Sequence, residues 1–275
     1  RAPTRRPDRP ETWTRMEPDT RLAPRVLLAV SDPALRHTAS ASLRDRGYSV
    51  SATTEPDAAL TLVPSFEPDV VLVDLDMEAP DGGNLFDAIR STTDVYVVGM
   101  AAPDAEAARI RALRAGADDV VSTSLHPDEL AARCQALLRR PRHLFMRWDP
   151  TQAAVITYGD LSVDVGRREI RVRGRDVAAT RIEFSLFEQL CRRPTEVCTR
   201  AELLQEVWGN TWSGDTHVVD VHLSNLRRKL QQVAPELRFI HSVRGVGFRL
   251  SNDLLRAGDA DQRQRRDDDR MLASA

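Results

Sequence analysis

The sequence predicts two domains: an α/β domain with a five-stranded parallel sheet and helices on both faces, then a smaller α+β domain of short strands and three helices. Three observations carry this. Short apolar runs alternate with amphipathic stretches over residues 25–138. The alternation stops in an arginine- and proline-rich segment, 139–155, read as a linker. From residue 156 the pattern changes to brief alternating strands with turn signals, capped helices and a glycine-turned hairpin. At 275 residues the chain also exceeds the usual size of a single core.

In the first domain the strand candidates are VLLAV (26–30), YSVSA (48–52), VVLVD (70–74), VYVVG (95–99) and DVVS (119–122), with helical stretches between them. Their near-continuous apolar character suits a sheet covered on both faces, and five such units fit the flavodoxin-like order. In such folds ligands bind at the carboxyl ends of the strands, a rule that selects Ser31, Asp32, Asp74 and Ala101. Residues 1–24, rich in Pro, Arg and Thr, are expected to form a disordered arm in which Met16 is a candidate start codon. The mixed-charge tail, 253–275, is expected to be disordered as well.

In the second domain, 156–252, the turn signals YGD, DVGR and RGRD mark an antiparallel meander. Thr180 with Glu183 and Thr199 with Glu202 match the capping box, in which a hydroxyl and a carboxylate satisfy free amides at a helix start. They open helices expected over 181–193 and 200–208. A third is expected over 216–230, followed by a hairpin over 239–250. At 100° per residue, Val219, Leu223, Leu226 and Leu230 share one side of the third helix, and His217, Val221, Ser224, Asn225 and Arg228 share the other. None of the second group is acidic. They are the residue types that meet base edges, thymine methyls and phosphates. Three helices followed by a hairpin bearing Arg244 beside glycines is the winged helix-turn-helix layout, with one helix in the major groove and the wing near the minor groove.

Charge divides the same way. Residues 25–138 hold 9 Arg against 18 acids, whereas 156–252 hold 15 basic residues against 12 acids, so nucleic acid is expected to meet only the second domain. Cys134, Cys191 and Cys198 lack metal-ligand spacing and are read as buried reduced thiols. No apolar run approaches the length of a membrane span and no signal peptide opens the chain, so a cytosolic protein with no membrane partner is expected.

RIEFSLFEQL, TRAELLQEVWG, VVDVHLSNLRRKL and SVRGVGFRL together resemble the DNA-binding domain of the OmpR/PhoB class of response regulators. The resemblance implies that His217, Val218, His222, Ser224, Asn225 and Arg227 lie in or beside the major groove of double-stranded DNA. Arg228 joins them from the helical projection above. It also implies that Trp208, Ser242, Arg244 and Phe248 hold backbone or wing contacts, and that the loop 209–215 touches RNA polymerase. Asn225 can pair bidentately with adenine and is the expected base reader.

The first domain resembles the receiver of that class, less evenly. Phosphorylation of a receiver aspartate needs the nucleophile, an acidic pair for Mg²⁺, a lysine and a hydroxyl. Asp74 matches the nucleophile. Val30 and Ser31 stand where the metal-binding pair belongs, leaving only Asp32. Thr123 stands at the lysine, Ser124 at the proline after it, Ala101 at the hydroxyl and Val120 at the switch aromatic. The receiver is therefore expected to be degenerate and independent of phosphorylation, with no cofactor. A metal held by Asp32, Asp74, Asp76 and Glu78 is the alternative arrangement. The family's dimer surface is matched in charge by Arg109, Asp118, Asp119, Glu129, Arg133 and Arg140, which implies a homodimer on tandem half-sites. Two rivals stand beside this reading. One is a conventional two-component regulator phosphorylated on Asp74 by a sensor histidine kinase. The other is an enzyme in the acidic pocket, which lacks a base, a partnered nucleophile and a glycine-rich phosphate loop.

Overall fold

The computed structural model describes residues 23–138, 155–209 and 216–254. The first domain runs β1 (Arg25–Ala29), α1 (Pro33–Asp45), β2 (Ser49–Thr53), α2 (Pro56–Phe66), β3 (Val70–Asp74), α3 (Leu85–Thr92), β4 (Tyr96–Ala101), α4 (Glu106–Arg114), β5 (Asp119–Ser122) and α5 (Pro127–Leu138). All pairings are parallel, in the order β2-β1-β3-β4-β5, so the order reverses beside β1. A crevice opens at the carboxyl ends of β1 and β3 for that reason. Strands β1, β3 and β4 are apolar almost throughout because helices cover both faces. Helix α1 begins where Asp32 accepts from the Leu35 amide and Pro33 supplies a preset φ.

The second domain begins with a four-stranded antiparallel meander, β6 (Val155–Tyr158), β7 (Leu161–Asp164), β8 (Glu169–Val172) and β9 (Arg175–Val177). Then follow α6 (Arg181–Arg192), β10 (Cys198–Thr199), α7 (Arg200–Trp208), α8 (His217–Val233), β11 (Ile240–Val243) and β12 (Gly247–Leu250). Both expected capping boxes are formed, with Thr180 and Glu183 opening α6 and Thr199 and Glu202 opening α7. Glu183, almost wholly buried, also receives Lys229 Nζ at 2.7 Å, which ties α6 to α8. Helix α8 runs three residues past the expected 230, since Gln231, Gln232 and Val233 carry no helix breaker.

Residues 1–22, 139–154, 210–215 and 255–275, which hold most of the expected arm, linker, loop and tail, lie outside the described residues, and with them Met16 and Arg140. Among the described residues no helix is long and apolar enough to cross a membrane.

The wing is anchored by a close backbone approach. Strand β12 pairs with both β10 and β11, and a Cβ added at Gly247 would lie 2.0 Å from the Cys198 carbonyl oxygen. Gly247→Ala is expected to destabilise the chain by at least about 2 kcal/mol. Urea unfolding monitored by circular dichroism measures it.

Candidate nucleic-acid interface and acidic pocket

The two domains meet where α4 lies against α8. The His222 imidazole, buried at 1 % exposure, is 3.1 Å through Nε2 from the Asp118 carbonyl oxygen, a bond that places the ring proton on Nε2. Asn225 Nδ2 donates to the Leu113 carbonyl oxygen at 2.9 Å. Leu113 belongs to the last turn of α4, and its carbonyl oxygen accepts from the Gly116 amide at 3.2 Å as well as from Asn225. A third contact flanks these two. Arg181, at the start of α6, forms a two-pronged pair with Asp94 at 3.1 Å for each bond and lies over the Tyr96 ring.

The expected reading face is thus divided. Val218, His222 and Asn225 are buried, whereas His217, Ser224, Arg228, Ser242 and Arg244 are exposed. The helical projection put Asn225 on an open side, and the structure corrects this because the first domain occupies that side. Arg227 is half-buried and donates to Ser242 Oγ at 3.0 Å, linking α8 to the wing. Trp208 and Phe248, expected among the contacts, are buried in the second domain, with the Arg200 guanidinium over the Phe248 ring. As large apolar rings they fill the core, so they shape the surface without presenting themselves on it. Arg200 is held in turn by Asp220 through bonds of 2.8 and 2.7 Å.

The expected dimer residues also sit differently from a simple charged surface. The Asp118 side chain has no exposure. Its Oδ2 accepts from the Val97 amide at 2.8 Å and from Arg90, and its Oδ1 has no partner among the described residues. Burial raises its pKa against the pull of Arg90. Asp118 is therefore corrected from a surface charge to an interior one, because Arg90 and the β4 backbone draw it inward. Asp119 is buried too, its pKa raised by burial to about 6 although Arg133 opposes the rise. Arg133 binds Glu129 at 2.9 Å and lies 3.5 Å from Asp119. Arg109 lines the cleft between the domains together with His217 and Val221.

At the carboxyl edge of the parallel sheet, Asp74 is half-buried at the end of β3. Its oxygens accept only long bonds, from the Ser31 amide at 3.4 Å and the Asp76 amide at 3.3 Å. Asp32 is committed to capping α1 at 2.6 Å. Arg36 donates to the carbonyls of Val30 and Ser31 at 2.8 and 3.1 Å. Ala101 and Val120 are buried, and Thr123 contributes its amide to the Ala101 carbonyl at 2.7 Å. Among the described residues no three His, Cys, Asp or Glu side chains converge as metal ligands. Glu78 is exposed and pairs through its backbone with Asn84, away from such a role. The three cysteines are free and buried. Burial pushes the Cys134 thiol up to about 12, so it is not a reactive thiolate.

Sequence reasoning missed the covering contacts, namely Asp94, Arg181, Arg90 and the carbonyls of Leu113 and Asp118. The one available signal was Ile110 and Leu113, apolar residues on an arginine-rich helix.

Comparison with known proteins bears on both domains. Residues 26–135 match the family described as "Response regulator receiver domain", and residues 174–250 match "Transcriptional regulatory protein, C terminal". The chain is 37% identical over 225 residues to "Response regulator MprA" of Mycolicibacterium vanbaalenii, covering 82% of this chain and 96% of that one. It is 36% identical to the protein of the same name from Mycobacterium avium, over the same shares. Among solved structures, a point mutant of RitR superposes with a TM-score of 0.67 at 25% identity, covering 83% of this chain and 99% of that one.

The buried imidazole makes the covered state sensitive to acid. Desolvation depresses the His222 pKa to about 4, outweighing the nearby Glu183 carboxylate and the Asp118 carbonyl. Uncovering α8 returns the ring towards its usual 6.5, so the uncovered state binds more protons between those values and gains as pH falls from 6.5 to 4. Asp119, raised to about 6, opposes this to the extent that opening exposes it. The His222 share is isolated by difference. Protection factors of α8 amides, referred to the intrinsic exchange rate at each pH, are expected to fall with acid more in the wild type than in His222→Gln.

Proposed function

Because the chain belongs to the OmpR/PhoB family of response regulators, transcription regulators in which a receiver precedes a DNA-binding domain, we propose that its receiver is degenerate and controls DNA binding without phosphorylation. In this reading the described conformation is the resting one. The observation that carries it is the pair of hydrogen bonds by which His222, expected in or beside the major groove, and Asn225, the expected base reader, are held on the Asp118 and Leu113 carbonyls. A base reader bonded to the receiver is not available to a base edge.

The pocket supports phosphorylation independence on chemical grounds. A trianionic phosphoryl centre needs cations, and preorganised charge of that kind contributes several orders of magnitude in rate. Val30 and Ser31 bring no carboxylate for Mg²⁺, and Asp32 spends an oxygen on α1. Thr123 brings no amine, and Arg36 is turned to two carbonyls. The donors do not fit the dication of the family's receivers.

One receiver face has two uses in this reading. The α4–β5 edge that covers α8 overlaps the surface through which a homodimer would form, so closure and dimerisation compete. Opening frees both surfaces and sets two winged helices on tandem half-sites, with Asn225 reading one base, Arg244 on the wing and RNA polymerase meeting the loop 209–215. Expression level, dimerisation or a bound ligand then sets activity in the cytosol, with no sensor kinase required.

Incubation with Mg²⁺ and acetyl phosphate or beryllofluoride is expected to leave Asp74 unmodified and the dimer fraction and DNA affinity unchanged. Stoichiometric phospho-Asp74 that tightens dimerisation would refute the reading in favour of a conventional phospho-switch. The closed form has its own test. Asp94 is largely exposed, so its pair with Arg181 contributes less than about 1 kcal/mol. Asp94→Ala should therefore raise DNA affinity modestly, by up to about five-fold. On a selected site, Asn225→Ala should relax preference at one base pair by about 1–3 kcal/mol, whereas Arg244→Ala weakens binding to all sequences. Fluorescence anisotropy with variant operators reads all three.

A further inference from the structure

The crevice beside Asp74 is a cavity of about 590 Å³, within the usual range for small-molecule sites. Three carboxylates line it, Asp32, Asp74 and Asp76, and none of the described residues lining it is basic. Arg36, on α1, is spent on backbone carbonyls. The walls are hydrocarbon, from Leu35, Met100, Leu125 and Leu130, and alanines at 101, 102, 105 and 108 leave the space open. Ser122 and Ser124, whose hydroxyls lie 2.9 Å apart, add a polar edge.

We propose that this cavity binds a small organic cation, an ammonium or amidinium group on an apolar body, with the charge against Asp74 and Asp76 and the body against the leucine and methionine walls. Each competing ligand class meets an obstacle. An anion would face three carboxylates. A bare divalent ion would find Asp32 tied to its helix and would leave the hydrocarbon walls uncovered. A neutral apolar molecule would leave the carboxylates desolvated beside it without compensation. A cation on an apolar body satisfies both parts of the lining.

The site also has a route to the reading helix. Ala105 precedes α4 and Ala108 belongs to it, and the other end of that nine-residue helix carries the Leu113 carbonyl held by Asn225. A ligand that shifts α4 as a rigid unit changes the contact covering α8. This second half rests on the closed form proposed above, while the binding half rests on the cavity alone.

The test uses the full chain and matched probes that share a body and differ in charge: tryptamine, tryptophol and indole-3-acetate, and likewise phenethylamine, 2-phenylethanol and phenylacetate. Binding is followed by amide chemical shifts and calorimetry. At least one amine is expected to shift Asp74, Ala101, Ala105 and Thr123 and to bind about ten-fold or more tighter than its alcohol, with the carboxylate silent. Thr123→Lys places a cation in the lining, and the exposed Asp76→Asn removes a charge. Both are expected to weaken the amine at an unchanged melting temperature. Equal binding of amine and alcohol, or no amine binding at millimolar concentration, overturns the site. So does saturation by Mg²⁺ alone that excludes the amine. Amine binding with unaltered DNA affinity overturns the coupling only, whereas failure of Asp94→Ala to raise DNA affinity counts against the closed form and not the cavity.

Discussion

Two side-chain donors resting on two backbone carbonyls organise this molecule. His222 and Asn225 offer N–H groups, and Leu113 and Asp118 offer carbonyl oxygens where α4 ends and β5 begins. Acceptors of this kind are also what the edges of bases and the phosphates present in a DNA groove. In the proposed reading, the receiver gives α8 a substitute for DNA, on the acidic half of the chain. Each bond contributes only about 1 kcal/mol net. Burial of the groups around them raises the cost of separating donor from acceptor without water replacing either.

The receiver can serve this way because its interior is already set. Asp118 is held by Arg90 and by the Val97 amide, which fixes the carbonyl that faces His222. On the other side, Lys229 and Glu183 tie α8 to α6, while Arg200 and Asp220 tie it to α7. Each side of the contact is thus braced within its own domain. Arg181 and Asp94 add a partly solvated fastening at the margin, where its strength depends on salt.

Much of the fold was legible because it is written in local chemistry. Apolar runs of four or five residues, turn glycines and the two Thr–Glu capping boxes each reappear as a strand, a turn or a helix start. The crevice at the end of β3 was legible too, because five alternating units fit the flavodoxin-like order, in which ligands bind at the carboxyl ends of the strands. Asn225 and Asp118 mark where reading stopped. Helical periodicity places Asn225 outward and the family resemblance places Asp118 on a dimer surface, yet both are inside, held wholly or partly by backbone atoms. Every residue carries a carbonyl, so sequence gives no sign of which one will receive a distant side chain. The same is true of Arg181 and Asp94, charged residues 87 positions apart whose meeting depends on how two domains dock.

The cover on α8 is incomplete in an informative way. His222 and Asn225 are hidden, while Arg228 on the helix and Arg244 on the wing remain in solvent. In the proposed reading, the groups that attract any polyphosphate stay available while the groups that recognise a particular sequence do not. Attraction to phosphates is indifferent to sequence and permits sliding and hopping along a duplex. A closed chain of this design need not wait in free solution. It can be held loosely on the chromosome, so that opening starts the search for an operator from nearby.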